Sequence, residues 1–490
     1  MNPDQERIHT ATLFTPAGQS RRARHERRRA LKALQTDTTS RPSPDREASA
    51  RYLPKNGEPG PAALRTPISL RVPKHQDTSA TWQTAYPFLA ESALDAGGVF
   101  VGQMLPSGSS FTYDPWVLYQ QGRITAPNVV VAGIVGAGKS ALAKALYLRS
   151  LAFGRRVYVP CDPKGEHSGI AEAVGGKAIQ LGPGLAARLN PIDPGVRPSS
   201  VSDDEWVAQV ASRRRALLGA LVETTLGHTL SPVEHTAIDV ALAAAVRAAD
   251  SIAVLPHVVG YLLQPHRDDD PDGRLREDGR QVAHALRRLV AGDLAGMFDG
   301  PSTVTFDPSL PMLSLDLSRV AENSTALSVL MTCASAWMES ALADPDGGQR
   351  WVVYDEAWRL MQYPALLRRM DAHWRLARHY GIANLLVFHK LSDLDNVGDQ
   401  GSAARAIATS LLANAETRII YRQENDQLGP TAKVLGLTAA ETARLPYLGL
   451  GEGLWKIGRK AYHVALQLHD TELALFDTAG RMETKTQRFV

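Results

Sequence analysis

The chain of 490 residues contains only two cysteines, Cys161 and Cys333, and both lie in apolar runs. Two cysteines indicate neither a metal centre nor a disulfide framework, so we expect buried free thiols in a reducing compartment. No apolar run approaches the ~20 residues that span a bilayer. The segment Ile8–Phe14 is too polar for a signal-peptide core. These absences favour a cytoplasmic protein, whose association with the inner face of the cell membrane would go through partners.

The chain also has little net charge, and its excess of basic residues lies at the N-terminus. The formal net charge is +3, while residues 1–62 hold twelve Lys and Arg against seven Asp and Glu. Residues 1–80 are polar with little apolar periodicity, which predicts a disordered basic tail. Within it, residues 21–29 either form a basic helix that binds nucleic acid, anionic lipid or an acidic partner, or belong to a solvated tail.

The most informative segment is a glycine-rich turn between an apolar strand pattern, Val129–Ala132, and an Ala- and Leu-rich helix pattern, Ala141–Phe153. It fits the pattern G-x-x-x-x-G-K-[ST], in which backbone N–H groups and a helix N-terminus surround a phosphate. Lys139 can reach the β- and γ-phosphates of ATP, and the Ser140 hydroxyl can hold Mg²⁺. The flanking strand and helix favour this interpretation over an ordinary glycine turn. The predicted nucleotide-binding residues are Gly133, Ile134, Val135, Gly136, Ala137, Gly138, Lys139, Ser140 and Ala141.

Two adjacent carboxylates, Asp355 and Glu356, follow the apolar strand pattern Trp351–Tyr354. Phosphoryl transfer needs a metal and a lysine to spread the phosphate charge, and a carboxylate to position the attacking water. Asp355 is therefore a predicted Mg²⁺ ligand together with Ser140, and Glu356 is the predicted catalytic residue. The alternative is a strand that ends in an acidic helix cap.

Further candidates follow later strand patterns. His389, after the strand pattern Asn384–Phe388, is placed where a γ-phosphate sensor would lie, although it could equally be a capping or core histidine. Arg418, Arg422 and Arg459 could each act as an arginine finger toward a neighbouring subunit, or be ordinary solvated or ion-paired arginines.

The succession of patterns predicts an α/β protein with a mostly parallel sheet. We expect a small lead-in at 81–125 with a β-hairpin, a core formed by 126–196 and 301–490, and an all-helical insertion at 197–300. Strand patterns in the second half of the core include Ser302–Phe306 and Met312–Leu317, and Gly453–Phe476 alternates like an antiparallel ribbon.

Several stretches in this order resemble the HerA–FtsK superfamily, and most closely the TraC-like ATPases of type IV secretion and conjugal transfer. The resemblance covers roughly residues 95–480. It is carried by Gly133–Ser140, Asp162–Glu166, Leu189–Pro191, Asp355–Trp358, Asn414–Ile419 and Leu435–Thr438.

The resemblance implies a RecA-like P-loop core in a hexameric ring, with ATP and Mg²⁺ at subunit interfaces and an arginine supplied by the neighbour. It also implies ATP hydrolysis that drives assembly of a secretion channel or transfer of a substrate, with membrane-complex subunits as partners. Two features depart from the family. Only a short lead-in precedes the core, and His389 stands where the superfamily commonly has glutamine.

Two other functions fit the same motifs. A DNA-translocating motor of this superfamily would need a basic ring lumen, which the nearly neutral core disfavours. A nucleotide-gated scaffold would bind ATP and assemble, but would hydrolyse ATP slowly.

Overall fold

The computed structural model describes residue 94 and residues 96–105, 107–197, 201–249, 252–304, 307, 309–320, 324–342, 348–356, 364–388 and 403–476. The chain divides into the units 1–76 and 77–490, and all described residues belong to the second unit. The predicted tail at 1–80 and the predicted sensor His389 lie outside the described residues.

Within the described residues, eleven strands form one sheet in the order β2-β1-β11-β10-β9-β3-β8-β7-β4-β6-β5. The seven strands from β9 to β5 pair in parallel, whereas β10, β11, β1 and β2 pair antiparallel at the other side. The strands are β1 (Val99–Met104), β2 (Ser110–Tyr113), β3 (Val129–Ala132), β4 (Arg156–Asp162), β5 (Lys177–Gln180), β6 (Met312–Asp316), β7 (Arg350–Tyr354), β8 (Ile382–Phe388), β9 (Thr417–Ile420), β10 (Glu452–Ile457) and β11 (Lys460–Leu466). The predicted α/β fold with a mostly parallel sheet is confirmed.

Helices cover the sheet. They are α1 (Pro115–Gln120), α2 (Lys139–Ser150), α3 (Ser168–Ala173), α4 (Asp203–Leu226), α5 (Pro232–Ala248), α6 (Leu255–Leu263), α7 (Leu275–Asp278), α8 (Arg280–Ala291), α9 (Ser324–Leu342), α10 (Pro364–Leu376), α11 (Ala403–Ala413), α12 (Leu428–Leu435), α13 (Ala439–Arg444) and α14 (Asp470–Phe476). None of the helices in the described part of the chain is both long and apolar enough to cross a membrane.

Every element that the structure describes between 197 and 300 is a helix, from α4 to α8. Helix α5 begins with a capping box: the Ser231 hydroxyl accepts from the Glu234 N–H, and the Glu234 carboxylate accepts from the Ser231 N–H. These helices bury their apolar faces in the same core as β6 and α9, represented by Leu221, Leu286 and Leu315. The helical segment therefore packs on one face of the sheet.

Strands β1 and β2 form an antiparallel hairpin within the range expected for the lead-in, and β1 also pairs with β11. Two other expectations are wrong. Residues 302–304 form no strand, because Thr303 instead exchanges hydrogen bonds with the backbone of Arg188. The ribbon of β10 and β11 ends at Leu466, and the chain continues into helix α14.

Candidate active site

The phosphate loop joins the end of β3 to the start of α2, at the edge of the sheet where the parallel strands end. The segment that follows β9 supports the loop from one side: the Ile134 N–H donates to the carbonyl of Arg422 at 3.0 Å. The packing requires glycine at position 133, since a Cβ there would lie 2.5 Å from the Tyr421 Cβ. Gly138, the N-cap residue of α2, has φ of 103°, a conformation that L side chains rarely adopt.

Lys139 lies under this loop with only 3% of its surface exposed. Its Nζ donates to the carbonyl of Ile134 at 2.8 Å. Burial lowers the pKa of Lys139 to about 8, although the charges of Asp355 and Glu356 act in the opposite direction. The lysine is therefore held against the loop, with both carboxylates within electrostatic range.

Asp355 and Glu356 lie at the same sheet edge, because β7 is separated from β3 only by β8. Two strand spacings of about 4.8 Å put the strand ends roughly 10 Å apart. Both carboxylates are buried, and the Glu356 N–H donates to Asp355 Oδ1 at 3.1 Å. Glu356 has φ of 57° and is the only non-glycine residue with positive φ in the described ranges. Such backbone strain is concentrated at functional sites and costs about 1–3 kcal/mol.

His167 links Asp355 to helix α2. Its Nε2 lies 3.6 Å from Asp355 Oδ2, a separation longer than a hydrogen bond, and its Nδ1 lies 2.9 Å from the Tyr147 hydroxyl. Burial raises the pKa of Asp355, but the contact with His167 more than offsets this and leaves the pKa below its usual value. The carboxylate is therefore kept ionised, as a metal ligand must be.

The loop 162–166, between β4 and α3, brings a second lysine to the site. Lys164 Nζ lies 2.5 Å from Glu356 Oε1. Burial lowers the pKa of Lys164, but the hydrogen bond and charge of Glu356 outweigh it, so that the pKa is raised. Sequence reasoning used this loop only as part of a resemblance and did not assign roles to Lys164, His167 or Tyr147. The sequence signal that could have identified Lys164 was its position as a basic residue just after β4, a strand of the parallel sheet.

The predicted arginine fingers lie in three different environments. Arg418 donates to the carbonyls of Ala415 and Leu435 at 2.9 and 2.7 Å, and burial lowers its pKa. Arg422 is exposed and lies two residues after β9, beside the phosphate loop. Arg459 lies in the β10–β11 turn, which hydrogen-bonds to Glu416 before β9, at the opposite edge of the sheet. Their roles stay predictions.

The residues at this edge fit a magnesium–nucleotide complex. Ser140, half-buried in the first turn of α2, offers a hydroxyl, and Asp355 offers a charged carboxylate. Magnesium commonly binds one or two such groups together with substrate phosphates.

No protein-family model matches the chain, and no curated protein matches it. Among solved structures, VirB4 of Thermoanaerobacter pseudethanolicus superposes with a TM-score of 0.64, covering 78% of this chain and 100% of that chain at 21% sequence identity. This chain has the fold of VirB4.

The fold of the bacterial conjugative coupling protein TrwB is also similar. Its unbound form gives a TM-score of 0.50 at 16% identity, covering 77% of this chain and 89% of that chain. TrwB in complex with the ATP analogue ADPNP gives a TM-score of 0.50 at 15% identity, covering 73% of this chain and 89% of that chain. The likeness to VirB4 and to a conjugative coupling protein agrees with the resemblance found in the sequence, and at these identities what the proteins share with this chain is the fold.

Proposed function

We propose that the chain is an ATPase that works as a ring and powers a type IV secretion or conjugation apparatus, by driving channel assembly or substrate transfer. One observation carries the proposal: Lys139, Asp355 and Glu356 converge at the carboxyl edge of one parallel sheet, within electrostatic range of one another. Lysine, metal ligand and water-positioning carboxylate are the groups that phosphoryl transfer requires.

In this proposal the N–H groups of the phosphate loop and the Lys139 ammonium bind the β- and γ-phosphates. Ser140 and Asp355 would hold Mg²⁺, which screens the phosphate charge when bound. Glu356 orients a water molecule and accepts its proton. The water oxygen forms a new bond to the γ-phosphorus, while the bond to the bridging oxygen breaks with its electron pair left on ADP, and phosphate is released.

The ring and the secretion role rest on the resemblance and on the shared fold. TrwB, which shares the fold, is described as a plasmid coupling protein and has been solved with ADPNP bound. In a ring, Arg422 is the best placed of the candidate arginines in its own subunit's site, whereas Arg459 lies in a turn at the far edge of the sheet and suits a neighbour's site.

The direct test is steady-state ATP hydrolysis by the purified chain, with and without DNA. Lys139→Ala should abolish turnover, because it removes the only charge that the loop offers to the γ-phosphate. Lys433→Ala removes an exposed lysine on α12 and should leave turnover unchanged. Unchanged ATPase activity in Lys139→Ala would overturn the site assignment. Strong stimulation by DNA would favour the DNA-translocating motor over the secretion ATPase.

A further inference from the structure

Strand order brings Lys164 to the proposed catalytic carboxylate. Strand β4 pairs directly with β7, so the loop that follows β4 lies beside Asp355 and Glu356. The Lys164 ammonium lies 2.5 Å from Glu356 Oε1. The two partners differ in exposure: the Lys164 side chain is 41% exposed, whereas the Glu356 side chain is 4% exposed. The lysine therefore reaches the carboxylate from the open side of the site.

The backbone beneath Lys164 is firmly held. The Asp162 carboxylate accepts from the N–H groups of Glu166 and His167 at 3.0 and 2.8 Å. Gly165 has φ of 70°, and a Cβ there would lie 3.2 Å from the Ser318 hydroxyl oxygen. The loop thus presents Lys164 in one direction, while the long side chain itself can move.

The ammonium group of Lys164 is within range of more than one anion. These anions are the carboxylates of Asp355 and Glu356, and the Lys164 charge also acts on the Lys139 ammonium beneath the phosphate loop. A buried carboxylate such as Glu356 needs a compensating cation, and the Lys164 ammonium supplies one. A γ-phosphate bound by Lys139 would enter this same cluster and offer the Lys164 ammonium a stronger negative charge.

We propose that Lys164 is a further catalytic residue that senses the γ-phosphate. Its ammonium pairs with Glu356 in the absence of ATP, and it moves to pair with the γ-phosphate when ATP binds. This rests on the proposed ATPase function. This movement breaks the ion pair with Glu356, so that the Glu356 carboxylate can accept a hydrogen bond from the attacking water. ADP has no γ-phosphate, so Lys164 stays with Glu356. The same lysine therefore couples recognition of ATP to release of the catalytic carboxylate.

The test separates phosphate binding from neutralisation of Glu356. In a Glu356→Gln background there is no carboxylate charge to neutralise, and hydrolysis does not disturb the binding measurement. Adding Lys164→Met should weaken binding of a fluorescent ATP analogue about 10- to 100-fold. This is the change in Kd that corresponds to the loss of one hydrogen bond to a charged group. Binding of the matching ADP analogue should stay within about 2-fold.

Two controls accompany this variant. Lys164→Arg keeps the charge and should keep most of the preference for ATP. Lys177→Met removes an exposed lysine on β5 and should change neither affinity. Circular dichroism melting reports whether Lys164→Met folds like its parent.

Each other outcome overturns the inference. Unchanged ATP affinity means that Lys164 only neutralises Glu356, and equal losses for ATP and ADP mean that it does not recognise the γ-phosphate. If the Glu356→Gln parent binds neither nucleotide, the proposed function itself fails. That result is distinct, because it appears before Lys164 is changed.

Discussion

At the scale of single residues, the conformation of the phosphate loop is restricted by steric contact with the residues packed against it. Gly133 packs against Tyr421, a residue buried at the end of β9, and an added methyl group would lie 2.5 Å from the Tyr421 Cβ. The adjacent Ile134 N–H is tied to the carbonyl of Arg422. The loop is therefore positioned by β9 as well as by its own glycines.

Gly133→Ala should push the loop away from β9. We expect a loss of about 1–3 kcal/mol in the free energy of unfolding, as for other overpacking substitutions, together with weaker nucleotide binding. Gly169→Ala is the matched control, since it lies in helix α3 with no atom within 4 Å of the added Cβ. It should be neutral or stabilise the protein by up to about 1 kcal/mol. Urea denaturation of both variants checks this, and equal stability of the two would contradict the packing argument.

The sequence allowed some of these residues to be predicted and not others. The phosphate loop, Asp355 and Glu356 could be named because each directly follows an apolar strand pattern, and parallel strands end at one edge of a sheet. Lys164 and His167 could not be given roles in this way. Their contacts depend on β4 lying next to β7, and an order of strands is not written in local periodicity.

At the scale of elements, Arg149 at the end of α2 ties together segments that are distant in sequence. Its guanidinium group makes two hydrogen bonds to the Glu472 carboxylate of α14, at 2.7 and 2.5 Å. It also donates to the carbonyls of Phe100 in β1 and Gln467 after β11, each at 2.6 Å. The P-loop helix is thereby joined to the antiparallel part of the sheet and to the last described helix.

Arg149→Ala should lower the free energy of unfolding by about 1–2 kcal/mol, a value reduced by partial solvent screening of the ion pair. Arg375→Ala is the control. It removes the exposed ion pair with Asp371 on α10 and should lower stability by at most about 0.5 kcal/mol. Thermal or urea denaturation measures both. A smaller effect for Arg149→Ala than for Arg375→Ala would contradict the assigned role.

The Arg149–Glu472 pair should also depend on pH. Burial raises the pKa of Glu472, but hydrogen bonds from Arg149 and from the His469 N–H outweigh it and lower the pKa. The folded-state pKa is below the unfolded value of about 4.3, so the stabilisation is complete above that pH and is lost as the pH falls through the folded-state pKa. The stability difference between wild type and Arg149→Ala should therefore shrink between about pH 7 and about pH 3. A constant difference would contradict this.

Most elements could be predicted from periodicity because the strands are buried on both faces and read as continuous apolar runs. Helix α14 was missed, since the residues after Leu466 share the alternation of the preceding ribbon. The strand expected at 302–304 is absent for another reason: the Thr303 N–H donates to the carbonyl of Arg188, and the Thr303 hydroxyl accepts from the Arg188 N–H.

At the scale of the whole molecule, the chain has the fold of VirB4 and a fold similar to that of TrwB, while the ring is a proposal. We expect Glu356→Gln to form a hexamer when ATP is present, because bound ATP would complete the subunit interface. Light scattering after gel filtration, with and without ATP, measures the mass. A mass that stays monomeric with saturating ATP would argue against the ring.

The central claim is that Lys139, Asp355 and Glu356 form one ATP-hydrolysing site, and single-turnover hydrolysis of radiolabelled ATP tests it most directly. Wild type should convert bound ATP to ADP and phosphate, whereas Glu356→Gln should bind ATP and retain it uncleaved. Lys139→Ala should bind no ATP. Cleavage by Glu356→Gln at the wild-type rate would contradict the account, because the water-positioning carboxylate would then be unnecessary.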